Sequence, residues 1–237
     1  MSSPLIILPG WCVGRGPLQA MAEALGGEII DLPGYGKAPL IEDFQQAAQE
    51  IARQLPAQSH LCGWSLGAQL ALAIAAEAPE KVSKLVLIAG TASFVQRDGW
   101  PHAMPPEMLA EFATGVAADI EAMLPRFIGG FNRGDANAKA VTLALLKSAD
   151  PRPAASTLAT GLNWLRDVDQ RAKATRVKAQ TLLIHGANDP LMPLAAAQAL
   201  AALIPDARLS AMADCAHAPF TSQPEAFNAL LSDFLNE

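Results

Sequence analysis

The stretch His60-Leu61-Cys62-Gly63-Trp64-Ser65-Leu66-Gly67, followed at once by the alanine-rich run 68–78, decides how this chain is read. A short apolar run ends in Gly-x-Ser-x-Gly, and a helix-forming segment begins on its far side. A strand-to-helix turn this tight forces unusual backbone angles on the serine, and small residues on both sides let neighbouring chain pass without a Cβ clash. The Ser65 hydroxyl is then exposed at the edge of a sheet. It also sits at a helix N-terminus, where an unpaired N–H such as that of Leu66 can stabilise a developing oxyanion. Out of context the same five residues are a glycine-rich turn; the flanking strand and helix favour a nucleophile.

Apolar runs at 5–8, 28–32, 84–89 and 181–185 end in glycine or small-residue turns and read as further buried strands. Helix-like stretches lie between or after them at 17–25, 42–54, 66–78, 193–203 and 224–235. Alternation of this kind implies right-handed crossovers and a mostly parallel sheet covered on both faces, an α/β class. The segment 94–176 differs: it has no obvious strand and contains Pro101, Pro105, Pro106, Pro125, Pro151 and Pro153. It reads as a helical lid inserted into a core formed by residues 1–93 and 177–237.

Composition limits the rest. With 237 residues, 51% hydrophobic and 17% charged, the chain can bury one large core and is too apolar to be disordered. A net charge of −6 argues against a nucleic-acid binder, whose affinity comes from neutralising phosphates. Three separated cysteines, Cys12, Cys62 and Cys215, form no CxxC pair, so a reducing, cytoplasmic setting is expected and no metal site. They read as packing residues. The N-terminus lacks a basic leader pattern, and the uncharged stretch 61–76 is too short and polar for a membrane span.

A serine nucleophile needs a histidine base and normally a carboxylate to orient it. Of the four histidines, His60 lies inside the strand leading to Ser65, His102 in the insertion and His185 at a strand end. His217, in the loop Ala213-Asp214-Cys215-Ala216-His217-Ala218-Pro219-Phe220 before the last helix, is the best placed. Asp189 follows the strand at 181–185, where a loop at the carboxyl edge projects over the sheet. Alone it is equally a turn residue before Pro190. Asp214 is the rival, but three residues before His217 it fits its own turn. Ser65, Asp189 and His217 together follow the chain order Ser, Asp, His of this elbow-bearing architecture. After the first strand, Leu8-Pro9-Gly10-Trp11 offers the Trp11 N–H as second oxyanion donor, with the indole free to pack. Asp31-Leu32-Pro33-Gly34-Tyr35-Gly36 lacks the endings of a phosphate loop and reads as a turn.

Charge is uneven. From residue 122 to 166 six basic side chains, Arg126, Arg133, Lys139, Lys147, Arg152 and Arg166, face two acidic ones, Asp135 and Asp150. A solvated helix face explains this by default; a basic lid on an acidic body also fits an anionic substrate or partner.

With these residues in place, the chain resembles the α/β-hydrolases, and within them the pimeloyl-acyl carrier protein methyl ester esterases of biotin synthesis. The superfamily-like stretches are Pro9-Gly10-Trp11, 31–36 and 63–67. Those like the narrower family are Arg97-Asp98-Gly99-Trp100-Pro101, Gly161-Leu162-Asn163-Trp164-Leu165 with Asp169 and Arg171, and 216–220. Two departures stand out. Pro9 replaces the commoner histidine before Gly-Trp, and Ile128-Gly129-Gly130-Phe131 follows the family's lid only loosely. The resemblance implies a cofactor-free, monomeric serine carboxylesterase with Ser65, Asp189 and His217 as triad. Trp11 and Leu66 would form the oxyanion hole, and Phe127, Ile128, Gly129, Gly130 and Phe131 the acyl pocket. Arg126, with Arg133, Lys139 and Lys147, would meet an acyl carrier protein bearing the methyl pimeloyl thioester. Other chemistries of the fold, namely a short-chain esterase, a carbon-carbon hydrolase or an acyltransferase, share the triad. A non-catalytic receptor would keep only the pocket.

Overall fold

The computed structural model describes residues 3–237; Met1 and Ser2, which the expected core span 1–93 includes, lie outside it. Among the described residues six strands form one sheet: β1 Leu5–Leu8, β2 Glu28–Ile29, β3 Ser59–Trp64, β4 Val82–Ile88, β5 Gln180–Gly186 and β6 Ala207–Met212. Their order is β2-β1-β3-β4-β5-β6, and every neighbouring pair is parallel. The chain therefore runs from β1 to one side, returns to β3 on the other and continues outward. The carboxyl ends of β1 and β3 flank the switch point, where open parallel sheets bind ligands.

The central strands carry unbroken apolar residues because both faces are covered: Leu5 to Leu8 and Leu85 to Ile88 are all buried. Helices α1 Gln19–Leu25, α2 Phe44–Gln54 and α3 Leu66–Glu77 arise where the sequence places them. Asp43 caps α2, its side chain accepting from the Gln46 N–H at 2.7 Å. Helix α3 is buried on all sides from Leu66 to Ala75, which explains a sequence with no polar stripe.

Between β4 and β5 come α4 Pro106–Ala118, α5 Ile120–Phe131, α6 Ala138–Ser148, α7 Ala155–Asp167 and the short α8 Arg171–Ala174, with no strand of the sheet among them. This is the helical lid region. Its two ends are clamped together by the stretches that carry the narrower resemblance. Arg97 donates to Ser93 Oγ at 2.9 Å and to the Arg166 carbonyl at 2.7 Å, and the Trp100 indole donates to the Ser93 carbonyl at 3.1 Å. Arg171 pairs with Asp169 and donates to the Asp98 carbonyl at 2.6 Å. These motif residues fix where the lid leaves and rejoins the core.

The chain closes with α9 Leu194–Leu203, α10 Pro219–Ser222 and α11 Pro224–Asn236. Strand β6 has no counterpart in the sequence reading. It is an edge strand whose residues are only partly buried, so its sequence Ala207-Arg208-Leu209-Ser210-Ala211-Met212 shows no continuous apolar run. The turn expected at 31–36 is present, held by the Arg15–Asp31 pair and by the Tyr35 hydroxyl, which accepts the Cys12 N–H at 2.9 Å. No helix among the described residues is long and apolar enough to cross a membrane.

Candidate active site

Ser65 stands between β3 and α3 with φ 57° and ψ −115°, a left-handed conformation that a non-glycine residue adopts only under constraint. The two motif glycines supply it. A Cβ on Gly63 would run into the Gly67 carbonyl, and one on Gly67 into the carbonyls of Leu8 and Pro9. The elbow is thus wedged against the end of β1. Gly67→Ala must displace backbone rather than a side chain, so it is expected to cost about 1–3 kcal/mol, read as a lowered Tm.

The remaining triad members come from the carboxyl end of β5 and the loop after β6. His217 Nε2 lies 3.0 Å from Ser65 Oγ, and its Nδ1 lies 2.7 Å from Asp189 Oδ2. All three residues are buried, with Asp189 5% and His217 1% exposed. The other carboxylate oxygen, Oδ1, accepts from the N–H groups of Leu191 and Met192, both at 2.9 Å. The carboxylate is therefore held from both sides, and an acceptor on Nδ1 leaves the lone pair of Nε2 aimed at the serine hydroxyl. This is the catalytic triad arrangement of a serine carboxylic ester hydrolase, with nucleophile, base and orienting acid in hydrogen-bond contact.

The rivals are placed elsewhere. Asp214 occupies a left-handed turn position, φ 58°, with its carbonyl accepting from Ala136 N–H at 2.9 Å. His60 pairs through Nδ1 with Ser83 Oγ at 2.9 Å. His185 is buried behind the triad, and this burial pushes its pKa below the ordinary histidine value. Neutral, it donates Nε2–H to the Met192 carbonyl at 2.6 Å, and at 3.6 Å from Asp189 Oδ2 it is outside hydrogen-bond reach. Cys12, Cys62 and Cys215 are all buried free thiols, and burial raises the pKa of each, so none is a thiolate nucleophile.

Trp11 lies just past β1 and lines the same small cavity as Ser65 and His217. Its indole donates to the Leu158 carbonyl in α7 at 3.1 Å and meets Phe112 and Phe127 edge-on. Phe127 and Phe131, four apart on α5, share one helix face and line the cavity with Trp64 and Leu191. Its volume is about 10 Å³, scarcely one water.

A groove of about 350 Å³ adjoins it across Phe127, Phe131 and Leu191; Met104, Met108, Phe112, Met123 and Gly130 line it, with Arg126 and Arg133. Ile128 is turned away, toward a separate space beside Cys12 and Leu158, because one residue's step rotates a helix by about 100°. Gly129 lines neither space. Arg126, Arg133, Lys139 and Lys147 are all exposed, and among the described residues none has an acidic partner within ion-pair distance.

A family model described as the alpha/beta hydrolase family matches residues 5–230. The chain belongs to that family. Among alpha/beta hydrolases, a pimeloyl-(acyl-carrier protein) methyl ester esterase of Nitrosomonas europaea is 37% identical over 94% of this chain and 92% of its own length. One of Aromatoleum aromaticum is 38% identical over 97% of this chain and 96% of its own. In structure, an esterase of Exiguobacterium antarcticum superposes with a TM-score of 0.88 at 24% identity, covering 100% of this chain and 93% of that one, a likeness of fold.

Several residues that hold this alpha/beta hydrolase's site together were not foreseen from its sequence. The Trp64 indole donates to the His217 carbonyl at 2.9 Å, tying the elbow to the base loop. Leu191 and Met192 act through backbone N–H groups, which carry no sequence signal. Asp135, in the turn between α5 and α6, accepts from the Ala216 N–H beside the base at 3.0 Å.

Proposed function

We propose that this alpha/beta hydrolase hydrolyses the methyl ester of a pimeloyl group carried on acyl carrier protein, releasing methanol and a free carboxylate for biotin synthesis. The 3.0 Å and 2.7 Å contacts of the triad carry the chemistry. Likeness to two esterases so named, over 94% and 97% of this chain, supports the substrate.

Ser65 Oγ attacks the ester carbonyl carbon as His217 Nε2 takes its proton, and Asp189 stabilises the imidazolium. The N–H groups of Leu66 and Trp11 hold the tetrahedral oxyanion. The intermediate collapses with the proton passing from His217 to the departing methoxide. Water, deprotonated by the same nitrogen, then attacks the acyl-enzyme and frees Ser65. No cofactor is required, because the chain supplies nucleophile, base and oxyanion donors itself. The lid, residues 94–176, closes over the ester with Phe127 and Phe131 against the acyl chain. Arg126 and Arg133 border the apolar groove, and with Lys139 and Lys147 they meet an acidic carrier. The enzyme acts in the cytoplasm as a monomer.

The test is kcat/KM for methyl pimeloyl carrier protein against a free short-chain methyl ester at two salt concentrations. The carrier-bound ester is expected to be strongly preferred, with a preference that shrinks as salt screens the basic surface over a Debye length of about 10 Å at 0.1 M. Equal rates for the two esters at both salt concentrations overturn the carrier-bound substrate.

A further inference from the structure

We propose that Asp135, a lid residue, is a positioning residue for His217, so that the lid and the catalytic base are set in register by one buried carboxylate. Asp135 is 7% exposed and has no cationic partner within ion-pair distance among the described residues. A carboxylate buried without a cation is costly unless neutral donors surround it. Three do. Oδ1 accepts from the Asn137 N–H at 2.7 Å and from Ser222 Oγ at 2.9 Å, while Oδ2 accepts from the Ala216 N–H at 3.0 Å.

The first of these bonds is an Asx turn onto the N–H of Asn137, the residue that precedes α6, and any short acceptor at position 135 would supply it. The other two leave the lid. They reach the residue immediately before His217 and the end of α10 immediately after its loop. The same turn makes two more bridges: Ala136 N–H donates to the Asp214 carbonyl at 2.9 Å, and Asn188 Nδ2 donates to the Gly134 carbonyl at 2.8 Å. Asn188 precedes Asp189, and its own N–H donates to the Cys215 carbonyl at 2.9 Å. The turn 132–137 thus holds the neighbours of both the acid and the base. It continues directly from Phe131, whose ring centroid lies 5.0 Å from that of His217. The apolar face that lines the cavity and the turn that holds the neighbours of His217 are thus one continuous segment of chain.

The proposal rests on the triad and not on the carrier-bound substrate, so its test uses p-nitrophenyl butyrate and a fluorophosphonate probe on the full-length chain. Two substitutions separate positioning from the local turn. Asp135→Asn can keep its carbonyl oxygen on the Ala216 N–H while its amide faces the Asn137 N–H, which breaks the turn bond. Asp135→Ser can accept from the Asn137 N–H but is too short to reach Ala216.

The expected result is a split in kinetics: both variants melt lower, because each leaves a donor around position 135 unpaired, yet the Asn variant retains most of the wild-type kcat. The Ser variant loses roughly 10–100-fold in kcat and in the probe's inactivation rate, with little change in KM. Wild-type kcat in the Ser variant, equal losses in both variants, or an effect confined to KM overturns the positioning role. Failure of the wild-type chain to react with either reagent overturns the triad itself, and the proposal with it.

Discussion

Ser65→Ala is expected to lose on the order of 10⁶-fold in kcat and to abolish fluorophosphonate labelling, because nothing else in the cavity can form the acyl bond. Burial raises the pKa of the Cys12 and Cys215 thiols, and among the described residues no other hydroxyl is hydrogen-bonded to His217 Nε2. The fold should survive, since the Ser65 side chain makes no cap bond to α3 and its one hydrogen bond among the described residues is with His217. Replacement by glycine sharpens the test. At φ 57° and ψ −115° an alanine bears the same backbone strain as serine, whereas glycine does not. Ser65→Gly should therefore be as inactive as Ser65→Ala and melt above it. A Ser65→Ala protein that turns over at the wild-type rate would remove the nucleophile from the mechanism.

Asp189→Asn is expected to lower kcat by about 10⁴-fold with little change in Tm, through the histidine tautomer rather than through folding. The Leu191 and Met192 N–H groups claim one side-chain oxygen at 2.9 Å each, so the asparagine carbonyl stays there and its NH₂ group faces His217 Nδ1. Nδ1 must then accept, Nε2 must carry the proton, and the ring presents a donor to Ser65 where the reaction needs a base. Steady-state kinetics beside a thermal melt checks this; a variant within tenfold of wild type would show that His217 keeps its working tautomer without the carboxylate. His185, neutral and bonded to Met192, cannot substitute from 3.6 Å.

The α/β class was legible because buried parallel strands and their crossover helices each leave a one-dimensional signature. Apolar runs at 5–8, 84–89 and 181–185 and the elbow at 63–67 became β1, β4, β5 and the turn into α3. The run at 28–32 shortened to the two residues of β2, and β6 escaped notice, because edge strands are half exposed and their composition is mixed. The loop after the first strand points to Trp11 and the family resemblance to Phe127 and Phe131, and all three line one cavity with Ser65. The same resemblance groups Ile128 and Gly129 with Phe127 and Phe131, but a helix does not keep chain neighbours on one face, and Ile128 borders a separate space.

By itself, then, the sequence determined the strand-helix alternation, the strained serine between glycines and the order of Ser65, Asp189 and His217, since each depends on residues close together or on residue type alone. Tertiary structure decided which histidine reaches the serine and which acid reaches that histidine, across loops far apart in the chain: His217 lies 3.0 Å from Ser65 Oγ and 2.7 Å from Asp189, whereas His185 stands 3.6 Å from Asp189 and Asp214 serves its own turn. It also decided what holds them there: the Leu191 and Met192 N–H groups, the Trp64 indole and the Asp135 carboxylate. Backbone donors look alike at every position, and a buried aspartate in a turn reads like any helix cap until the segment it reaches across to is known.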